Sequence, residues 1–312
     1  MKVAINGAGI AGSTLAYWLH RLGHEPVLIE QSPRPRSGGY IIDFWGVGYD
    51  VATMMGIVPR LRECGYQVNE VRFVGRDGNR RGGFPADGIR QLLGQRFVSL
   101  RRSDLAAIIY AAIEGKVETI FGDSIATLNE DGSGVQVGFD HHGGRHFDVV
   151  VGADGLHSHV RALRFGREER FELYLGYIAA AFEISGYRPR DQLVYISYAE
   201  PGRQVSRFSM RDDRTLFLFV YRDPKFAGSI PTTDERRKAL LRDAFDGVGW
   251  ECPRILDAME IAEAIYFDRV SQIQMPNWIK GDRAPGRGVA DGVDRHTLRL
   301  LAGKISVPRL AG

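Results

Sequence analysis

Asp148-Val-Val-Val-Gly-Ala-Asp-Gly-Leu-His-Ser-His-Val-Arg161 is the stretch whose reading decides the fold. Val149, Val150 and Val151 form an unbroken β-branched run, the pattern of a strand in a parallel sheet covered on both faces. Gly152, Asp154 and Gly155 then permit a tight turn and a close approach of backbone to a ligand. Ser158 and Arg161 follow at the start of a helix. The order strand, turn, helix predicts an α/β chain.

The N-terminus carries an independent copy of that order. Val3, Ala4 and Ile5 predict a short strand, and Gly7-Ala8-Gly9-Ile10-Ala11-Gly12 follows at once. Ile10, Leu15, Leu19 and Leu22 recur near helical spacing, Gly23 ends the helix, and Val27-Leu28-Ile29 predicts the next strand, closing at Glu30. This is the dinucleotide-binding pattern in its proper context. Gly7 serves the turn, Gly9 the approach to a pyrophosphate, and Gly12 the packing of helix on strand. The helix start at Ile10 and Ala11 offers unpaired N–H groups to phosphate oxygens. Glu30 stands where an acid accepts ribose hydroxyls. The pattern alone does not choose between NAD and FAD.

Asp148, Gly152, Ala153, Asp154, Gly155, Ser158 and Arg161 together resemble the second fingerprint of FAD-dependent aromatic-hydroxylase-type monooxygenases. Arg102, Asp104 and Leu105 match that family's Arg-x-Asp-Leu, whose arginine lies near the flavin; read without the resemblance, Ser103 or Asp104 is equally a helix cap. The similarity runs from the N-terminus to about Lys280. Gly39–Gly46 and Tyr266–Trp278 look similar to the branch that includes tetracycline-inactivating enzymes. The resemblance implies an FAD-binding Rossmann-like three-layer domain with an inserted antiparallel-sheet substrate domain. It also implies FAD contacts at Gly7, Gly9, Ile10, Ala11, Gly12, Glu30, Arg102, Asp154 and Gly155. The implied activity is hydroxylation of a small aromatic or polyketide-like compound, with NAD(P)H as reductant, molecular oxygen as co-substrate and a flavin C4a-hydroperoxide as oxygen donor. In such enzymes the cofactor carries the hard chemistry, so no catalytic acid–base residue is assigned. Two other readings stay open: a flavin oxidoreductase that inserts no oxygen, and an inactive fragment with an incomplete flavin site.

The rest of the chain agrees with a soluble, cytoplasmic enzyme. The 312 residues predict two domains, and 44% hydrophobic and 25% charged residues are ordinary globular values. A net charge of +3 with scattered basic residues gives no argument for nucleic acid. Cys64 and Cys252 read as reduced thiols. No signal peptide or membrane-spanning run is apparent. His141, His142, His146, His157 and His159 read as a solvated hairpin and helix start, not as metal ligands. Arg34, Arg36, Gly38 and Gly39 read either as a loop reaching the adenosine side or as a solvated loop.

Residues 1–71, 96–165 and 265–312 are assigned to the cofactor domain, and 72–95 with 166–264 to the substrate domain. Gly82 to Gly94 reads as a loop. Tyr195, Phe208 and Phe219 are the candidates for a substrate-lining set, although each taken singly reads first as sheet core. The family's third motif, an apolar strand followed by Gly-Asp-Ala, has only a superficial match at Gly281-Asp282. Residues after about Asp282 are therefore expected to lack the usual strand and long helix, leaving the cofactor domain incomplete at its C-terminal end. A frameshift accounts for this: codons for Ala-Leu-Leu-Val-Gly, read one base out of frame, give Arg283 to Gly288. A divergent surface tail is the alternative.

Overall fold

In the computed structural model, which describes residues 1–35, 40–226, 229–280 and 288–291, the valine run becomes the strand Val149–Gly152. It pairs in parallel with Lys2–Asn6, which pairs in parallel with Glu25–Glu30, which pairs in parallel with Glu118–Phe121. On the other side of Val149–Gly152 lie Gly288–Asp291, also parallel, and then the short antiparallel strand Ile279–Lys280. The continuous apolar runs make sense because both faces of this six-stranded sheet are covered. Val3, Ile5, Leu28 and Val151 pack against Leu15, Ala16 and Leu19 of the helix Ile10–Arg21. Ala4, Val27, Ile29 and Val150 pack against Ile125, Val135, Val137 and Phe147 of a three-stranded antiparallel sheet. The chain is thus a mixed α/β protein with several sheets, and this part has three layers.

The remaining core forms around a seven-stranded sheet. Its order is Tyr266–Ile273, Glu172–Ser185, Arg214–Arg222, Arg203–Ser209, Val194–Glu200, Glu70–Val74 and Arg80–Pro85. Residue alternation gives it two apolar faces. Phe182, Ile196, Val205, Phe217 and Phe219 lie with Leu241, Phe245 and Ile255 of the helices Asp234–Ala244 and Cys252–Ala258. Ala181, Phe208 and Leu216 lie on the opposite face with Tyr66 and Val68.

Three expectations are corrected here. The sheet is not wholly antiparallel, because Glu70–Val74 pairs in parallel with Val194–Glu200, an early strand added beside one more than a hundred residues later. Residues 82–94 are not a loop. Arg80–Pro85 forms a strand and Ala86–Leu92 a helix, since pairing with Glu70–Val74 satisfies the backbone despite the glycines. The short run Gly288–Asp291 does form a strand. Its ladder with Val149–Gly152 is made by backbone groups, and Val289, fully buried, joins the apolar cluster of Val150. The Gly281-Asp282 match and the segment after residue 291 lie outside the described residues.

The chain divides into two compact units. One comprises Met1–Arg36, Ala106–Leu173 and Gln272–Gly312, and the other comprises Ser37–Leu105 and Tyr174–Ser271. Residues 37–71 thus fall in the second unit and not with the N-terminal strands, as do residues 96–105. Pairing of Ile41–Trp45 with Phe97–Arg101, the bridge from Tyr66 to Ser99, and the ladder through Glu70–Val74 hold them there. Among the described residues, no helix is long and apolar enough to cross a membrane.

The ladder from Val149–Gly152 to Gly288–Asp291 predicts that the amides of Val289 and Ala290 exchange with solvent as slowly as those of neighbouring strands. Hydrogen–deuterium exchange with mass spectrometry measures this, and full exchange of residues 288–291 within seconds would remove the strand.

Candidate functional site

The first parallel strand ends at Asn6, and the backbone turns at Gly7, whose φ of +105° suits glycine. Gly7 and Gly12 are fixed by space. A Cβ on Gly7 would lie 2.7 Å from Ala153 O, and one on Gly12 would overlap Gly7 O. These glycines let the loop, the helix Ile10–Arg21 and the Gly152-Ala153-Asp154 turn come together. Gly9 differs. It is the N-cap of that helix, its φ of −77° and ψ of −167° are open to any residue, and a Cβ there would meet no atom within 4 Å. The loop is therefore an open cradle at Gly9, directly before a helix N-terminus. The N–H groups of Ile10, Ala11 and Gly12 lie in the first turn, where no intrahelical acceptor exists, so they suit a phosphate group.

Glu30 closes the loop from the second strand. Its Oε2 accepts the Ala8 N–H at 3.0 Å and its Oε1 accepts the Ser32 N–H at 3.0 Å. These bonds fix the Glu30 carboxylate against the glycine loop.

Asp154 joins the two glycine turns. Its Oδ2 accepts from Asn6 Nδ2 at 2.7 Å, from His159 N at 2.8 Å and from Val160 N at 3.3 Å. Its Oδ1 is buried with no hydrogen-bond partner among the described residues. A buried orphan carboxylate oxygen beside the glycine cradle is the signature of a site shaped for a polar group. Gly155 follows at φ +88°. Ser158 caps the helix His159–Arg164 by accepting the Arg161 N–H at 3.0 Å. Arg161 is almost fully buried, donates to Leu156 O and pairs with Glu168 at 3.1 Å. Asp148 Oδ2 accepts the Lys2 N–H at 2.7 Å. Asp148, Ser158 and Arg161 therefore build the turn, and Asp154 ties it to the end of the first strand through Asn6. Asn6 was not singled out on sequence. The available signal was a polar residue, 6% exposed, at the C-terminal end of a central parallel strand.

The structure brings Gly7, Gly9, Ile10, Ala11, Gly12, Glu30, Asp154 and Gly155 into one unit. Arg102 belongs to the other. It opens the helix Arg102–Ala111, its N–H donates to Tyr40 O at 3.0 Å, and its side chain is exposed. In the same unit Tyr40 lies 5.3 Å from Tyr266, ring to ring. Arg36, Gly38 and Gly39 lie outside the described residues.

The proposed substrate-lining trio does not share a face. Tyr195 and Phe208 are ladder partners with ring centroids 6.1 Å apart. Burial pushes the Tyr195 phenol up to about 12. Phe219 is buried on the opposite face, against Phe182 and Phe245. The period of two along a strand separates odd-numbered Phe219 from its even-numbered neighbour Leu218, which lies on the side of Tyr195 and Phe208.

Among the described residues, no cluster of three or more His, Cys, Asp or Glu has metal-binding geometry. His142 pairs with the buried Asp123, His146 hydrogen-bonds Ser133, and His157 pairs with Glu168 at 2.9 Å. Burial raises the Cys252 thiol to about 12, which makes it a poor nucleophile.

Comparison with known proteins adds a family to this geometry. Residues 1–255 match the family model described as an FAD binding domain. An uncharacterized protein of Mycobacterium tuberculosis (strain H37Rv) is 34% identical over 283 residues, covering 89% of this chain and 75% of that protein. A flavin-dependent monooxygenase from an unknown prokaryotic organism is 32% identical over 288 residues, covering 90% and 72%. The crystal structure of tetracycline destructase Tet(55) superposes with a TM-score of 0.81 at 29% identity, covering 94% of this chain and 73% of that one. The cradle, the Asp154 turn and these matches establish that the chain belongs to the FAD-dependent monooxygenases of the aromatic-hydroxylase type, an enzyme family whose cofactor is FAD.

Proposed function

We propose that the protein is an NAD(P)H-using monooxygenase that hydroxylates a small aromatic or polyketide-like compound. The observation that carries the reading is the open cradle at Gly9 beside the orphaned Oδ1 of Asp154. In this reading the unit built from Met1–Arg36, Ala106–Leu173 and Gln272–Gly312 is the Rossmann-like FAD domain, and the other unit binds substrate. The N–H groups of Ile10, Ala11 and Gly12 hold the pyrophosphate, Glu30 the adenosine ribose, and Asp154 with Gly155 the polar stem beyond it. Arg102 is assigned to the flavin by family resemblance. When bound, the flavin supplies the redox and oxygen chemistry.

The substrate is assigned to the face of the seven-stranded sheet that carries Tyr195 and Phe208. Phe73, the register partner of Ser197, continues that face and is 46% exposed beside Phe84. Apolar and aromatic side chains there suit a polycyclic or aromatic compound. Tyr195, protonated at all ordinary pH values because its pKa is raised, would act as a hydrogen-bond donor and not as a base. Likeness to tetracycline destructase supports a polycyclic substrate.

Two experiments test the reading. Gly9→Asp fits the apoprotein without strain, so its thermal stability should stay within about 0.5 kcal/mol of the parent while FAD binding is lost through clash and repulsion at the pyrophosphate. Asp154→Ala should weaken FAD retention by at least about tenfold, more than His157→Ala or His159→Ala. Unchanged flavin content in Gly9→Asp, or equal losses in all three other variants, would remove this loop from the cofactor site. For the reaction itself, product formed under ¹⁸O₂ with NADPH should carry one labelled oxygen. Turnover without label would favour a flavin oxidoreductase that inserts no oxygen.

A further inference from the structure

The seven-stranded sheet carries a polar feature on the face opposite Tyr195 and Phe208. Arg207 shares its ladder row with Ile196 and Phe217, both members of the helix-covered core, and its side chain is only 2% exposed. A guanidinium is costly to bury unless it is paired. Asp191 at 2.7 Å and Glu251 at 3.3 Å supply the pairing. Even so, Nη1 of Arg207 is buried with no hydrogen-bond partner among the described residues.

Arg207 lines an open cleft of about 440 Å³ together with Arg72, Arg76 and Trp250. That volume is within the range of small-molecule sites, about 300–1,000 Å³. The Trp250 ring centroid is 5.9 Å from the Arg207 guanidinium carbon. Trp250 has a φ of +58°, an uncommon conformation for so bulky a residue, and its N–H donates to Arg76 O at 3.0 Å. The carboxylates of the cleft are already engaged: Asp191 by Arg72 and Arg207, Glu251 by Arg207 and Arg254, and Asp77 by Arg81. Arg76 is exposed and makes no ion pair among the described residues. Among the described residues the cleft thus combines an exposed arginine that makes no ion pair and donates only to Gly247 O at 3.1 Å, a buried guanidinium N–H with no acceptor, and an aromatic ring.

We propose that this cleft binds an aromatic carboxylate at a site separate from the substrate face. The carboxylate is held by Arg76 at the rim and by Nη1 of Arg207 below it, as charge-assisted hydrogen bonds favour. The ring lies against Trp250. The inference stands on the second unit alone and does not depend on the flavin reading.

Titration calorimetry of the full chain with 1-naphthoate, with 1-naphthylmethanol as the uncharged control, tests it. Saturable one-to-one binding of the carboxylate is expected, with the alcohol at least about tenfold weaker. Arg76→Ala, an exposed change with little effect on folding, should lower the affinity about tenfold, and Tyr195→Ala should leave it unchanged. No saturable binding, equal binding of the alcohol, or a loss in Tyr195→Ala with none in Arg76→Ala would each overturn the proposal.

Discussion

The contact on which the unit carrying the N-terminal strands depends is the one between two glycine turns. Gly7, Gly12 and Ala153 approach so closely that a side chain at either glycine would separate them. Asp154 then secures the junction by accepting from Asn6 at the end of one strand and from His159 and Val160 at the start of the following helix. One carboxylate oxygen makes three bonds of structure, and the other is buried without a hydrogen-bond partner among the described residues. The parallel pairing of Lys2–Asn6 with Val149–Gly152 sets the distance between the turns. A dinucleotide site of this kind is thus a consequence of strand register, since both turns leave the same end of neighbouring parallel strands.

Much of this was legible in the sequence because backbone constraints write themselves into residue identity. Glycine at positions 7 and 12 and the valines at 149–151 have few physical alternatives. Phe219 was less legible. Strand composition marks it as apolar, but only the register and the helices Asp234–Ala244 and Cys252–Ala258 decide which face it occupies. Likewise Gly82 to Gly94 reads as a loop until the pairing of Arg80–Pro85 with Glu70–Val74 is known. Gly288–Asp291 has the same lesson, because a ladder formed by backbone groups leaves little trace in side-chain pattern. The buried Arg207 sits between Ile196 and Phe217 in its ladder row, and its partners Asp191 and Glu251 are distant enough in sequence that no local pattern announces them.

The two units differ in what they offer chemically. The first offers glycine turns, helix N–H groups and fixed carboxylates, which suit a phosphate-bearing group. The second offers a wide sheet with aromatic side chains on one face and a helix-packed core on the other. A cofactor that carries the reactive chemistry needs little more from the protein than a fixed position and a dry, shaped neighbour.

The central claim is that the cradle at Gly9 and Asp154 holds FAD. Its most direct test is the visible absorption spectrum and flavin-to-protein ratio of the purified full chain after incubation with FAD and gel filtration. The account predicts a flavin spectrum with close to one FAD per chain. A colourless protein, with its secondary structure intact by circular dichroism and no quenching of FAD fluorescence on titration, would contradict it.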